Sequence, residues 1–211
     1  MFRPEPWCRE GPPADDDPAR RRRATAQDQL STTDGITLGA PDARLTLTEF
    51  ADLQCPFCAK FAVNVLPTLV DDYVRPGKLR LVFRGLAFLG EDSVRGARMA
   101  GAMGLQRRLW PFVDLFYLNQ EAENSGYADE DFLRELAGAV EGADVDVAMG
   151  ARDSSAVDAQ LSEADAEAEK WAVPGTPAFL LGETGEAPEV FPIDSLDASA
   201  FTTALDARLA L

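Results

Sequence analysis

Arg44-Leu45-Thr46-Leu47-Thr48-Glu49-Phe50-Ala51-Asp52-Leu53-Gln54-Cys55-Pro56-Phe57-Cys58 decides how this chain folds. Residues 44–50 alternate β-branched or aromatic residues with leucines, which predicts a short strand placed centrally in a sheet. Downstream, Phe57, Phe61, Ala62, Val65, Leu66, Leu69, Val70 and Tyr73 recur at helical spacing. The tetrad Cys55-Pro56-Phe57-Cys58 therefore sits at a strand-to-helix junction. The first turn of a helix has unpaired N–H groups and the positive end of the helix dipole, so a cysteine there is stabilised as a thiolate. Pro56 suits the same turn, because its fixed φ matches a helix start and its missing N–H is not needed there. Two thiols three positions apart can close a disulfide and reopen it without unfolding the chain, which points to redox chemistry.

Outward from this junction, Pro67 is expected to bend the helix rather than end it, since the apolar stripe continues on one face. Pro76-Gly77-Lys78 turns the chain into a second strand at 79–83, completing a βαβ unit with a parallel pair. From 91 to about 171 the pattern is helical throughout, with helices expected at 94–105, 109–118, 129–139, 145–151 and 154–171. Strands at 178–181 and 189–192 then flank a turn at 182–188, and 195–211 closes as an amphipathic helix. Residues 1–34, rich in Pro, Asp and Arg and without periodicity, read as a disordered tail containing Cys8. The domain proper is then 35–211, with a helical insertion over about 91–171.

Composition excludes several chemistries. With 211 residues, 46% of them apolar, the chain can bury a full core without disulfide staples. It contains no histidine, so neither a Ser-His-Asp nor a Cys-His nucleophile pair can be built and the commonest zinc ligand is missing. Three cysteines cannot make a four-thiolate metal site within one chain, and no metal or other cofactor is expected. A formal charge of −16 argues against nucleic acid and anionic membrane surfaces as partners. No apolar run approaches a membrane span, and Arg20 to Arg23 are followed by Ala24-Thr25-Ala26-Gln27-Asp28-Gln29, which is not a signal-peptide core.

The order βαβ, helical block, ββα is that of an α/β thioredoxin-like fold with a helical insertion between its halves. From about residue 36 onward the chain resembles the DsbA-like thioredoxin family of bacterial dithiol–disulfide oxidoreductases. The resemblance is carried by 49–58, by Val82-Phe83-Arg84 with Gly90-Glu91-Asp92-Ser93, and by Trp110 with 116–120 and Glu123-Asn124-Ser125-Gly126. It is carried further by Val173-Pro174-Gly175-Thr176-Pro177-Ala178-Phe179, which is similar to the family's cis-proline loop. It implies that Pro177 is cis, leaving the Thr176 backbone free to pair with an extended substrate beside Cys55. It also implies a buried acid at Glu49, six positions before Cys55 and sharing strand parity with Leu45 and Leu47, that exchanges a proton with Cys58.

Cys55, at the helix start, is the expected nucleophile, and Cys58, one turn in, the resolving thiol, with Pro56, Phe57, Thr176 and Pro177 meeting the substrate. Asp52 is assigned to the connecting loop and left out of the site. Gly101-Ala102-Met103-Gly104 reads as close packing within a helix, Met99, Met103, Trp110 and Phe112 as core, and Asp71-Asp72 and Asp129-Glu130-Asp131 as solvated helix ends. Strongly oxidising members often have histidine where this chain has Phe57, so an intermediate oxidant is expected.

The leading expectation is thus an enzyme that introduces disulfides into protein substrates. A reductase or isomerase of the same fold and a redox-inert binding module are the alternatives. The resemblance further implies recharging by a quinone-linked membrane thiol oxidase of the DsbB or VKOR type, and an extracytoplasmic location. A cytoplasmic location is the alternative that the missing leader favours.

Overall fold

The computed structural model describes residues 34–211. The tail reading, apart from its last residue, and Cys8 lie outside the described residues. Five strands form one mixed sheet in the order β1-β3-β2-β4-β5. They are β1 (Thr37–Leu38), β2 (Leu45–Asp52), β3 (Leu79–Leu86), β4 (Ala178–Glu183) and β5 (Glu189–Val190). β2 is central: it runs parallel to β3, from Leu45 opposite Leu79 to Asp52 opposite Leu86, and antiparallel to β4, from Leu45 opposite Glu183 to Phe50 opposite Ala178. Both faces of β2 are buried, as expected of a strand with helices on either side.

Between β2 and β3 lie α1 (Pro56–Asn64), the short α2 (Leu66–Leu69) and a π-helical turn over Val70–Val74. Pro67 lacks the N–H that would continue the ladder, so α1 stops at Asn64 and a new turn starts at Leu66. The helix is thus ended at Asn64 rather than only bent, which corrects the sequence reading of Pro67. The insertion comprises α3 (Glu91–Leu105), α4 (Leu109–Leu118), α5 (Glu130–Gly138), α6 (Val145–Ala151) and α7 (Ser155–Lys170), and α8 (Ala198–Leu209) closes the fold. Asp129, Asp144 and Ser154 cap α5, α6 and α7 by accepting from the N–H of Phe132, Val147 and Val157. Capping residues lie outside the helices they start, which is why α5 and α7 begin one residue later than the apolar pattern alone suggests.

Alternation along β2 divides the core. Leu45, Leu47 and Ala51 join the main cluster on one face, whereas Phe50 joins Leu86, Ala164 and Leu180 beneath α7 on the other. Arg84 on β3 fastens α7 over that second face through Glu167, 2.7 Å away, and Glu163, 3.0 Å away. Met99, Met103, Trp110 and Phe112 are buried in the main cluster, as expected of core residues. At Gly101 an added Cβ would lie 3.0 Å from Val157, which bears out close packing.

At the other end of that cluster, Phe201 of α8 meets Phe61, Phe179 and Phe191 with ring centroids 5.2, 5.1 and 6.1 Å away. Phe201 is fully buried and anchors α8 to both α1 and β4. Its replacement by alanine is expected to lower the unfolding free energy by about 3–5 kcal/mol, measured by urea denaturation.

Candidate active site

β2 ends under the start of α1, and the connecting turn is closed by the Cys55 N–H donating to the Asp52 carbonyl at 3.0 Å. Cys55 is the N-cap of α1, with φ −71° and ψ 120°, and Pro56 follows in the first helical turn. The Cys55 Sγ donates to the Thr176 carbonyl at 3.2 Å, which brings the nucleophile against the loop before β4. The Thr176–Pro177 peptide bond is cis. Of the residues expected to meet substrate, Pro56 and Phe57 are exposed, Phe57 at 62%, and Thr176 and Pro177 are half-buried beside them. The structure brings together every site residue expected from the sequence.

Both thiols are free, and their environments differ. Cys55 is pulled down from 9.0 to about 6, first by a hydrogen bond from the Cys58 thiol and further by the Thr176 side chain and the N–H groups of Cys58 and Phe57. Burial opposes this without overcoming it. Cys58 is fully buried, and its pKa is pushed well above the usual thiol range, mainly by that burial and then by its hydrogen bond to Cys55 and the charges of Glu49 and Cys55. One thiol is thus suited to be an anion at neutral pH while its neighbour remains protonated.

Glu49 lies between Phe83 on β3 and Phe179 on β4 and is 5% exposed. Its Oε1 has no hydrogen-bond partner among the described residues. Burial, with the charge of Cys55 adding to it, raises its pKa from 4.5 to about 8. The carboxyl group is accordingly neutral near physiological pH and electrostatically coupled to Cys58.

Asp52 corrects the sequence reading. It is the last residue of β2, not part of the loop, and it is fully buried. Its carboxylate accepts from the N–H groups of Gln54 (2.9 Å), Phe88 (3.0 Å) and Leu89 (3.2 Å) and from Ser93 Oγ (2.5 Å). Four donors compensate the loss of water, so the group ties the end of β2 to the loop after β3 and to α3. Gln54, 1% exposed, is a second buried polar residue that the sequence reading does not single out. The sequence signal for both was their adjacency to Cys55 together with the separate segments containing Ser93 and Asn124, which the fold joins.

Alongside the 173–175 loop runs a groove of about 520 Å³, walled by residues 86–88 and by Asp165, Ala168 and Glu169 of α7. Phe88 stands at its edge, 54% exposed. Among the described residues, no three His, Cys, Asp or Glu side chains gather as metal ligands.

Sheet, dithiol and proline loop define a thioredoxin-fold protein with a two-cysteine active site. A family model described as Thioredoxin matches residues 31–206, and the chain belongs to that family. Over 99 residues, 46% of each protein, it is 37% identical to a probable disulfide bond formation protein D of Bacillus cereus. Over 102 residues, 47% of this chain and 46% of the relative, it is 26% identical to disulfide bond formation protein D of Bacillus subtilis strain 168. These matches span about half the length of the curated relatives. A thioredoxin-like oxidoreductase from Silicibacter pomeroyi DSS-3 superposes with a TM-score of 0.66 and 26% identity over 88% of this chain and 98% of that one. Oxidised BdbD from Bacillus subtilis superposes with a TM-score of 0.71 over 86% of this chain and 97% of that one; at 19% identity this shows the shared fold.

Two outcomes follow from the site's protonation. Alkylation of the reduced protein is expected to rise with pH about a midpoint near 6 and to label Cys55 before Cys58, checked by mass spectrometry of the modified peptides. Between pH 4.5 and about 8, unfolded Glu49 has lost its proton while folded Glu49 keeps it, so its contribution to stability falls as pH rises through that window. Glu49→Gln is therefore expected to stabilise the fold by about 3 kcal/mol near pH 7 and to change little below about pH 4, checked by denaturation at both pH values.

Proposed function

We propose that the protein is a thiol–disulfide oxidoreductase that introduces disulfides into protein substrates. The observation that carries this reading is the opposed protonation of the two thiols: Cys55 is held toward the thiolate and Cys58 toward the thiol. In the oxidised enzyme, a substrate thiolate attacks the Cys55 sulfur and the Cys55–Cys58 bond breaks. The departing Cys58 sulfur is a strong base in its buried position and takes a proton from Glu49, which still holds one at neutral pH. A second substrate thiolate then attacks the substrate sulfur of the mixed disulfide and expels the Cys55 thiolate. The substrate gives up two electrons and becomes a disulfide, and the enzyme dithiol receives them.

A low thiol pKa makes Cys55 a good leaving group in the last step and stabilises the reduced enzyme, both of which favour oxidation of the substrate. Thiols of this kind range from about 3.5 in the strongest oxidants to about 7 in reducing thioredoxins. A value of about 6 supports an intermediate oxidant, in keeping with Phe57 in place of histidine. The names of the Bacillus relatives favour the oxidising direction. A quinone-linked membrane thiol oxidase of the DsbB or VKOR type would restore the disulfide, and that partner would place the protein outside the cytoplasm.

The test is single-turnover oxidation of a reduced two-cysteine peptide, with the redox potential fixed in glutathione buffers. The oxidised protein is expected to convert the peptide to its disulfide. Cys55→Ser and Cys58→Ser, neither of which can hold the Cys55–Cys58 bond, are expected to leave it reduced. Given the oxidised peptide instead, Cys58→Ser is expected to accumulate a mixed disulfide, its Cys55 thiolate attacking the peptide disulfide and releasing one peptide thiolate. A potential below about −250 mV would favour the reductase reading. Peptide binding without oxidation would favour the redox-inert module.

A further inference from the structure

The three residues that deliver Cys55 to its N-cap position are held by the helical insertion as well as, at Asp52, by the sheet. Asp52 O accepts from the Tyr117 hydroxyl at 3.3 Å as well as from the Cys55 N–H. Leu53 O accepts from Gln120 Nε2 at 2.7 Å. The Gln54 side chain is enclosed: its Oε1 accepts from the Asn124 N–H at 2.6 Å, and its Nε2 donates to Ser93 Oγ at 3.0 Å and to Asn124 Oδ1 at 3.3 Å. Asn124 is itself built into place. It has φ 53°, in the left-handed region, where asparagine is better tolerated than most residues, and its Nδ2 donates to Leu89 O. Its Oδ1 lies where a side chain at position 90 would have to go, since a Cβ on Gly90 would fall 2.0 Å away.

We propose that Gln54, Gln120 and Asn124 are positioning residues for the dithiol: through them the helical insertion fixes the backbone leading into Cys55 and so sets how strongly its sulfur holds a negative charge. The insertion then tunes the redox pair as well as flanking it. The route is geometric. Cys55 occupies the N-cap of α1, where the N–H groups of the first turn, those of Phe57 and Cys58 among them, favour a negative charge on its sulfur. Residues 52–54 set the direction from which the chain reaches that cap. Freed from the insertion, the chain would sample other approaches, and the thiolate would lose N–H donors that a neutral thiol does not need.

This inference rests on Cys55 being the reactive thiol of the proposed exchange, so the wild-type protein is measured first. The test follows Cys55 alkylation against pH, and the equilibrium with glutathione, in full-length Gln120→Ala, Asn124→Gly and Gln54→Leu. Glu123→Ala, on the same loop but, among the described residues, without a hydrogen bond to residues 52–54, is the control. Each clamp variant is expected to move the alkylation midpoint upward by about one pH unit and to make the disulfide about tenfold easier to form in glutathione, while Glu123→Ala matches the wild type. Gln120 is only half-buried, so its variant provides the readout if the buried Gln54→Leu substitution prevents folding. Clamp variants that fold, even with lower melting temperatures, but keep the wild-type midpoint and glutathione equilibrium would overturn the proposal. If wild-type Cys55 reacts no faster than free cysteine, the functional reading fails instead, and the clamp with it.

Discussion

The N–H groups at the start of α1 stabilise a sulfur anion only if a strand delivers Cys55 to that spot and nothing nearby opposes the charge. β2 meets the first condition by being the central strand. Hydrogen-bonded to β3 and β4 along nearly its whole length, it ends at a fixed place. The second condition is harder, because the helix start must also be covered by the loop before β4 and by the insertion without excluding the Cys55 sulfur from a reacting partner. The structure resolves this by burying Cys58 completely while leaving Cys55 at 5% exposure, behind an exposed Pro56-Phe57 corner.

The two carboxylic acids of β2 show how position decides chemistry. Glu49 and Asp52 are three residues apart, both buried, and their side chains point to opposite faces of the strand. Asp52 meets four donors and serves as a fixed joint between elements. Glu49 faces aromatic neighbours on both adjoining strands, and one of its oxygens has no partner among the described residues. An acid kept this way costs stability whenever the solvent favours its ionised form, and under the proposed function that cost accompanies its exchange of a proton with the equally buried Cys58.

Much of this was legible in the chain because it depends on local rules. Strand alternation placed Glu49 on the face of Leu45 and Leu47, proline at the second tetrad position marked the helix start, and the apolar spacing of 109–118 and 145–151 matched α4 and α6 to the residue. What stayed hidden depends on pairing between distant segments. β1 is two residues long and exists only because Thr37 and Leu38 lie opposite Val82 and Leu81. β3 runs on to Leu86 because parallel pairing with β2 continues through Asp52, a partner that the pattern of 79–83 does not announce. The environment of Gln54 is hidden for the same reason: Ser93 and Asn124 are 39 and 70 residues away in sequence. Nothing in the local pattern says that a glutamine before the first cysteine will be enclosed.

A chain with formal charge −16 is at first sight a poor host for one more anion, since every acidic group opposes the ionisation of every other. The resolution lies in range. Exposed carboxylates act through water and salt and are largely screened beyond about 8 Å at physiological ionic strength. The influences that favour the Cys55 thiolate come from Cys58, Thr176 and the adjacent backbone, all within the site itself. None is a cationic side chain, so the site needs no histidine or lysine, and its charge preference is set first by the Cys58 thiol and then by Thr176 and the N–H groups at the helix start. Charges on so acidic a surface can therefore be changed without altering the redox pair, whereas the few residues that orient the turn into α1 cannot.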